Sequence, residues 1–180
     1  MDHLDLQFRF SATDDTGIFT GYAAIYAEMN SHGETIKPGA FRKTLAEHKR
    51  SGTRPVMLWS HNPSEIIGVW DEIEEDAKGL RVKGRIIRET ARGAETYALI
   101  KAGAVNGLSM GFRARSATRS ADGGRVLTDI ELVEISVVGL PSAAKARIKS
   151  LNSLRSGRSL SAAAFVEACR KATRSLEKRK

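Results

Sequence analysis

The chain has 180 residues, 41% of them hydrophobic and 28% charged, enough to bury one sizeable core and unlike a disordered polymer. No apolar run approaches the ~18 residues that cross a bilayer as a helix, and MDHLDLQFRF lacks the basic flank and long apolar stretch of a secretory signal. A single cysteine, Cys169, leaves no intramolecular disulfide and fits a reducing cytoplasm. The formal net charge of +8 is unevenly placed: residues 141–180 hold eleven basic residues against Glu167 and Glu177, so the remainder is close to neutral.

Leu4, Leu6, Phe8 and Phe10 alternate at period two, and a second apolar stretch, 21–26, follows the turn-like Asp14-Asp15-Thr16-Gly17, so residues 1–30 read as a β-hairpin. Pro38 opens a helix whose inner stripe is Ala40, Phe41, Thr44, Leu45 and His48, stopping at Ser51-Gly52. RPVMLWSH (54–61) reads as a strand leading to Asn62-Pro63. Residues 66–70 and 80–87 read as further strands, separated by an acidic turn over 71–78. Thr90 caps a helix running to Lys101, with Gly103 at its end. GLSMGFRAR alternates Leu108, Met110 and Phe112 against Ser109, Gly111 and Arg113, and Asp122-Gly123-Gly124 turns the chain into VLTDIELVEISVVGL (126–140), a central strand. The fold class expected is α+β: a mainly antiparallel, β-barrel-like core with two or three packed helices, over residues 1–148. Residues 149–180 read as a basic linker followed by an amphipathic helix on Phe165, Cys169, Ala172 and Leu176.

Three polar residues stand where packing does not ask for them. Ser109 lies between Gly107 and Gly111 in an apolar strand, where small neighbours let a substrate approach; a serine on the less buried face of a strand has the same pattern. His61 ends RPVMLWS in phase with Met57 and Trp59, and histidine suits a general base, although strand-end histidines also serve as hydrogen-bonded structural groups. Glu134 shares a period-two face with Ile130, Leu132, Ser136 and Val138, so it needs a partner: a histidine that becomes cationic, or an arginine such as Arg85 or Arg113. Glu131 falls on the opposite face. His3, His32, His48 and His61 with one cysteine give no metal-ligand spacing, and there is no nucleotide-binding glycine pattern, so neither metal nor cofactor is expected.

Four segments, GIFTGYAAIYAEMNSHGETIKPGAF, LWSHNPSEIIGVW, AGAVNGLSMGFRA and LVEISVVGLPSAAKARI, resemble in order and spacing the prohead (capsid maturation) proteases of tailed phages, a family related in fold to the herpesvirus capsid maturation proteases. The likeness covers most of residues 17–148; it departs from the family pattern at Gly33-Glu34 and at GLPSAAKA. It implies a serine endopeptidase with Ser109 as nucleophile, His61 as general base and Glu134 as the acidic member. Backbone N–H groups near Ser142 and Ala143, in the loop after the Glu134 strand, become the candidates for holding the oxyanion. The resemblance also implies the partners, the major capsid protein with its scaffolding segment and the protease itself by self-cleavage, and the place, the assembling prohead in the host cytoplasm. The reading from another class is a non-catalytic capsid-assembly or scaffold-binding protein acting through its basic tail. Nucleic acid ranks last, because the tail lacks aromatic interleaving apart from Phe165.

Overall fold

The computed structural model describes residues 16–120 and 123–151. In chain order its elements are β1 (Ile18–Ile25), β2 (Glu34–Ile36), α1 (Arg42–Ser51), β3 (Val56–Trp59), β4 (Asn62–Glu75), β5 (Gly79–Ile86), α2 (Ala91–Lys101), β6 (Gly107–Arg119), β7 (Arg125–Val138) and β8 (Ile148–Leu151). The strands form one mixed sheet in the order β2-β7-β3-β4-β5-β1-β8, with β6 along the other edge of β7. β2 and β3 run parallel to β7, while the other pairs are antiparallel. The sheet curls into a half-barrel. Its ends are drawn together where Leu108 N–H donates to Ala146 O and Ile148 N–H to Asn106 O, both at 2.9 Å. At Gly21 the chain of residues 146–148 passes so close that a Cβ would lie 2.5 Å from Arg147 O, so only glycine fits there.

The concave side carries the core. Phe19, Ile67, Trp70, Leu80, Val82, Ile86, Leu108, Ile130, Leu132, Ile135 and Val137 are all buried, and Phe19 meets Trp70 edge-on at 5.5 Å. α1 starts and stops within the expected segment. Glu75 Oε1 accepts the Gly39 and Phe41 N–H groups (3.1 and 3.2 Å), placing a carboxylate at the helix N-terminus, where those donors need partners. α2 is capped as expected: Thr90 Oγ1 accepts from Gly93 N–H at 3.1 Å.

Two expectations change. Residues 71–75 are not a turn but the second half of β4, because their acidic side chains meet basic ones across the ladder: Lys83 Nζ reaches Glu72 at 2.8 Å and Arg81 Nε reaches Glu74 at 2.7 Å. The reversal comes at Asp76, whose Oδ1 accepts the Lys78 and Gly79 N–H groups. Residues 149–151 belong to β8 and pair with β1, although the linker was expected to start at 149. The expected strand at residues 4–10 and the C-terminal amphipathic helix lie outside the described residues.

β7 is central, and opposite β6 its alternation slips between Leu127 and Asp129 and again between Leu132 and Glu134, where the second slip positions the site. Opposite β6, Leu132 pairs with Phe112 and Glu134 pairs with Gly111, so two steps on β7 match one step on β6. Val133, half-exposed, is the extra residue of a β-bulge. Core positions therefore shift from even (Ile130, Leu132) to odd (Ile135, Val137) across it. α1 supports this irregularity: Thr44 Oγ1, fully enclosed, accepts from Leu132 N–H at 3.2 Å, and His48 Nε2 lies 3.1 Å from Leu132 O.

Candidate active site

Three neighbouring strands supply the site. In β6, Ser109 stands opposite Ser136 of β7, and Gly111 opposite Glu134, all on the convex face of the sheet. β3 flanks the other edge of β7 in parallel, pairing Val56 with Glu134, Leu58 with Ser136 and finally Trp59 with Val137. The chain then reverses at once, with Trp59 paired to Asn62. Ser60 and His61 are the two turn residues, with φ of 49° and 61°, the left-handed pair that a type I′ hairpin demands and that glycine or asparagine usually fills. His61 is thus not the last residue of a strand in phase with Met57 and Trp59, as alternation suggested; the turn throws its ring back over β7. Ser60 N–H donates to Val137 O and His61 N–H to Ser136 Oγ, both at 3.0 Å, and these bonds hold the strained pair in place.

The side chains form one chain of hydrogen bonds. His61 Nδ1 lies 2.6 Å from Glu134 Oε1, and His61 Nε2 lies 3.0 Å from Ser109 Oγ. Since a carboxylate only accepts, Nδ1 carries the proton and Nε2 presents a lone pair to the serine hydroxyl. Glu134 Oε2 accepts from the Ser136 hydroxyl at 2.7 Å, and that same oxygen of Ser136 receives the His61 N–H. Ser136 is completely enclosed, so one hydroxyl fixes both the carboxylate and the turn that carries the imidazole. The burial gradient suits the arrangement. The Glu134 side chain is 10% exposed and that of His61 45%, so their hydrogen bond is shielded from water on one side while the ring edge stays reachable on the other.

Gly111 makes room for this cluster. A Cβ there would lie 2.2 Å from Glu134 Oε1, so the carboxylate occupies the space a side chain would take. Ser136 and Gly111 escaped sequence reasoning for different reasons. Ser136 shares the period-two face of Glu134 and was visible in principle. Gly111 acquires its meaning only from the β6–β7 register, which is a three-dimensional fact. The arginines considered as partners for Glu134 do not take that place; Arg113 pairs with Glu131 at 2.9 Å, and Glu134 is hydrogen-bonded to His61.

A cleft of about 520 Å³ opens beside Ser109 and His61. Its walls come from the end of β1, the loop before β2, the start of β6 and the loop after β7, which brings Ser142 and Ala143 to the same space. Ser142 O accepts from Ser31 N–H at 3.0 Å and Ala143 O from Ala146 N–H at 3.0 Å, so both carbonyls are engaged elsewhere.

Comparison with known proteins places these features in context. Among solved structures, the bacteriophage T4 capsid assembly protease matches with a TM-score of 0.58 at 14% identity, over 69% of this chain and 82% of that one. The KSHV protease in complex with a hexapeptide phosphonate inhibitor matches with 0.50 at 12% identity, over 87% and 75%. At those identities the likeness is one of fold. By sequence, the prohead protease of Enterobacteria phage HK97 is 33% identical over 153 residues, 83% of this chain and 67% of the relative. The capsid polyprotein of Pseudomonas phage PAJU2 is 33% identical over 104 residues, 54% of this chain but 16% of the polyprotein. Residues 5–159, most of the sequence, match the family described as caudovirus prohead serine protease, and to that family the chain belongs.

Proposed function

We propose that this prohead maturation protease works through Ser109, His61 and Glu134, and that its substrates are the scaffolding segment of the major capsid protein and the protease chain itself. The observation that carries the reading is the unbroken line Ser109 Oγ, His61 Nε2, His61 Nδ1, Glu134 Oε1 at 3.0 and 2.6 Å beside an open cleft. In the forward step Ser109 Oγ attacks the peptide carbonyl carbon while its proton passes to His61 Nε2. The buried Glu134 carboxylate holds the imidazole in the tautomer that can accept and stabilises the cation that forms. The tetrahedral species collapses as His61 returns the proton to the leaving amine, and a water activated by the same nitrogen releases the acyl group. Backbone N–H groups of the Ser142–Ala143 loop are the proposed donors to the oxyanion, on the ground that the loop faces the same cleft.

The capsid protein as substrate is supported by the kinship with the HK97 prohead protease and by a related stretch within a capsid polyprotein. The proposed setting is the interior of the assembling shell in the host cytoplasm, with residues 152–180 as a basic address segment distinct from the catalytic unit. Co-expression with the capsid protein tests the reading. The wild-type chain should convert it to a shorter species, and Ser109→Ala, folded by circular dichroism, should leave it full-length. Processing by Ser109→Ala at the wild-type rate refutes the assignment.

A further inference from the structure

We infer that Glu28 determines specificity in the cleft by accepting a lysine or arginine side chain of the bound segment. The inference rests on the reading of Ser109 as nucleophile, since it concerns what lies beside that group. The described lining of the cleft carries carboxylates and no permanent cation: it includes Glu28, Glu34, His32 and His61 and no lysine or arginine.

The two carboxylates are not equivalent. Glu34 is already satisfied: Arg125 Nη1 donates to one oxygen at 2.8 Å and Asn30 Nδ2 to the other at 3.2 Å. Glu28 is satisfied on one side only. Its Oε1 accepts the Lys145 N–H at 3.1 Å, whereas Oε2 is shielded from solvent and meets no hydrogen-bond partner among the described residues. A carboxylate oxygen left without a donor is unfavourable, and a ligand cation that meets it once the side chain turns toward the cleft it lines removes that penalty. The cleft is suited to a long aliphatic stem ending in charge, since Ala23, Ala24, Leu108 and Ala143 contribute small or apolar surface. The preceding Ala27 has φ of 57°, a conformation that a residue with a Cβ rarely adopts, and the Lys145 N–H bond anchors Glu28 beside it.

The experiment uses the full chain and a library of bacterial peptides generated by a glutamate-specific protease, with new termini mapped by mass spectrometry, beside Ser109→Ala as control. Lysine or arginine should be enriched at one fixed position relative to the cut. For the best peptide, exchanging that lysine for norleucine should lower kcat/KM about 10–100-fold with the wild-type chain, and Glu28→Gln should lower it equally for the lysine peptide while leaving the norleucine peptide unchanged. The norleucine comparison needs no variant, so it tests the demand for charge even if Glu28→Gln folds poorly, and equal rates on the two peptides overturn the inference. Ser109-dependent cuts without basic enrichment overturn the inference and leave the nucleophile standing. Equal losses on both peptides overturn it too, since they mean that Glu28 merely anchors the Lys145 loop. If the library shows no Ser109-dependent cut, the catalytic reading fails and this inference fails with it.

Discussion

Replacing Gly111 by alanine adds one methyl group where the strand itself can accept it. Gly111 has no left-handed φ to lose, and a Cβ generally favours extended backbone, so the substitution leaves the β6–β7 ladder intact. The methyl carbon would nevertheless sit 2.2 Å from Glu134 Oε1 and 2.9 Å from Cδ and Cγ of the same side chain. Ordinary contact begins near 3.4 Å, so the oxygen must retreat by about 1.2 Å, the difference between that distance and 2.2 Å. Its bond to His61 Nδ1 is now 2.6 Å, and a displacement of that size breaks it. The imidazole then loses both its orientation and the charge opposite its cation. Removal of the acidic member of such an arrangement commonly costs about 10⁴-fold in kcat, and a displaced rather than deleted carboxylate should cost about 10²–10⁴-fold. Stability should fall by about 1–3 kcal/mol, the usual cost of overpacking, with the chain still folded. The assay is the time course of capsid-protein processing on gels, alongside urea unfolding of the same preparation. A folded Gly111→Ala chain that processes at the wild-type rate would show that the Glu134–His61 contact is dispensable, and the argument would fall.

Four further outcomes follow from the same geometry. Glu134→Gln should slow processing at least 100-fold, whereas Glu131→Gln should stay within about twofold, because its partner Arg113 is well exposed and such surface pairs contribute little; the reverse order would overturn the acidic assignment. Ser60→Gly should raise the urea midpoint by the equivalent of about 0.5–1 kcal/mol with cleavage retained, since glycine tolerates the φ of 49° that serine resists; a lower midpoint would contradict the strained-turn account. Burial, and then its bond to Glu75, push the Tyr26 hydroxyl well above the ordinary tyrosine range, so the folded chain keeps a proton that the unfolded chain releases near pH 10. Its contribution is complete below pH 10 and declines above it, so stability measured at pH 9 and 11 should fall less in Tyr26→Phe than in the wild type; parallel losses would exclude Tyr26 as the source. A chain ending after Leu151 should remain folded and cleave a peptide substrate yet be recovered less often inside assembled shells, and normal packaging would remove the address role from residues 152–180.

How much of this was legible in the sequence depends on what kind of order each part needs. The alternation of β6 is uninterrupted through Gly111, so Leu108 and Met110 on the core side and Ser109 and Gly111 on the other could be separated from the residues alone. The helices were equally plain, marked by Thr90 and by the stripe around Thr44. Regular alternation misled at β7. It grouped Glu134 with Leu132 and set Glu131 on the far side, whereas the bulge places Leu132 in the core and returns Glu134 to the face of Glu131. Both carboxylates therefore share a side, and what separates them is company: Glu131 meets exposed arginine, while Glu134 lies beneath His61 and against Ser136. The acidic stretch 71–75 failed as a turn because its compensation comes from Arg81 and Lys83 on another strand. His61 could not be placed at all by strand phase, since a two-residue reversal with non-glycine residues carries no composition signal.

The extra residue in β7 gives the strand two independent halves. Upstream of Val133 the side chains answer to α1, through Thr44 and His48 on the backbone of Leu132. Downstream they answer to β3 and β6, with Glu134 and Ser136 facing out. Because the bulge absorbs one step of the pleat, the upstream half can exchange its core residues as the helix changes without rotating the carboxylate. The converse also holds: were Val133 drawn into the ladder as an ordinary pleat residue, Glu134 would fall in phase with Leu132 and swing into the hydrophobic core, whereas deleting Val133 would leave Glu134 opposite Gly111. The face on which Glu134 emerges is therefore set by the backbone path at Val133 as much as by the identities of its neighbours.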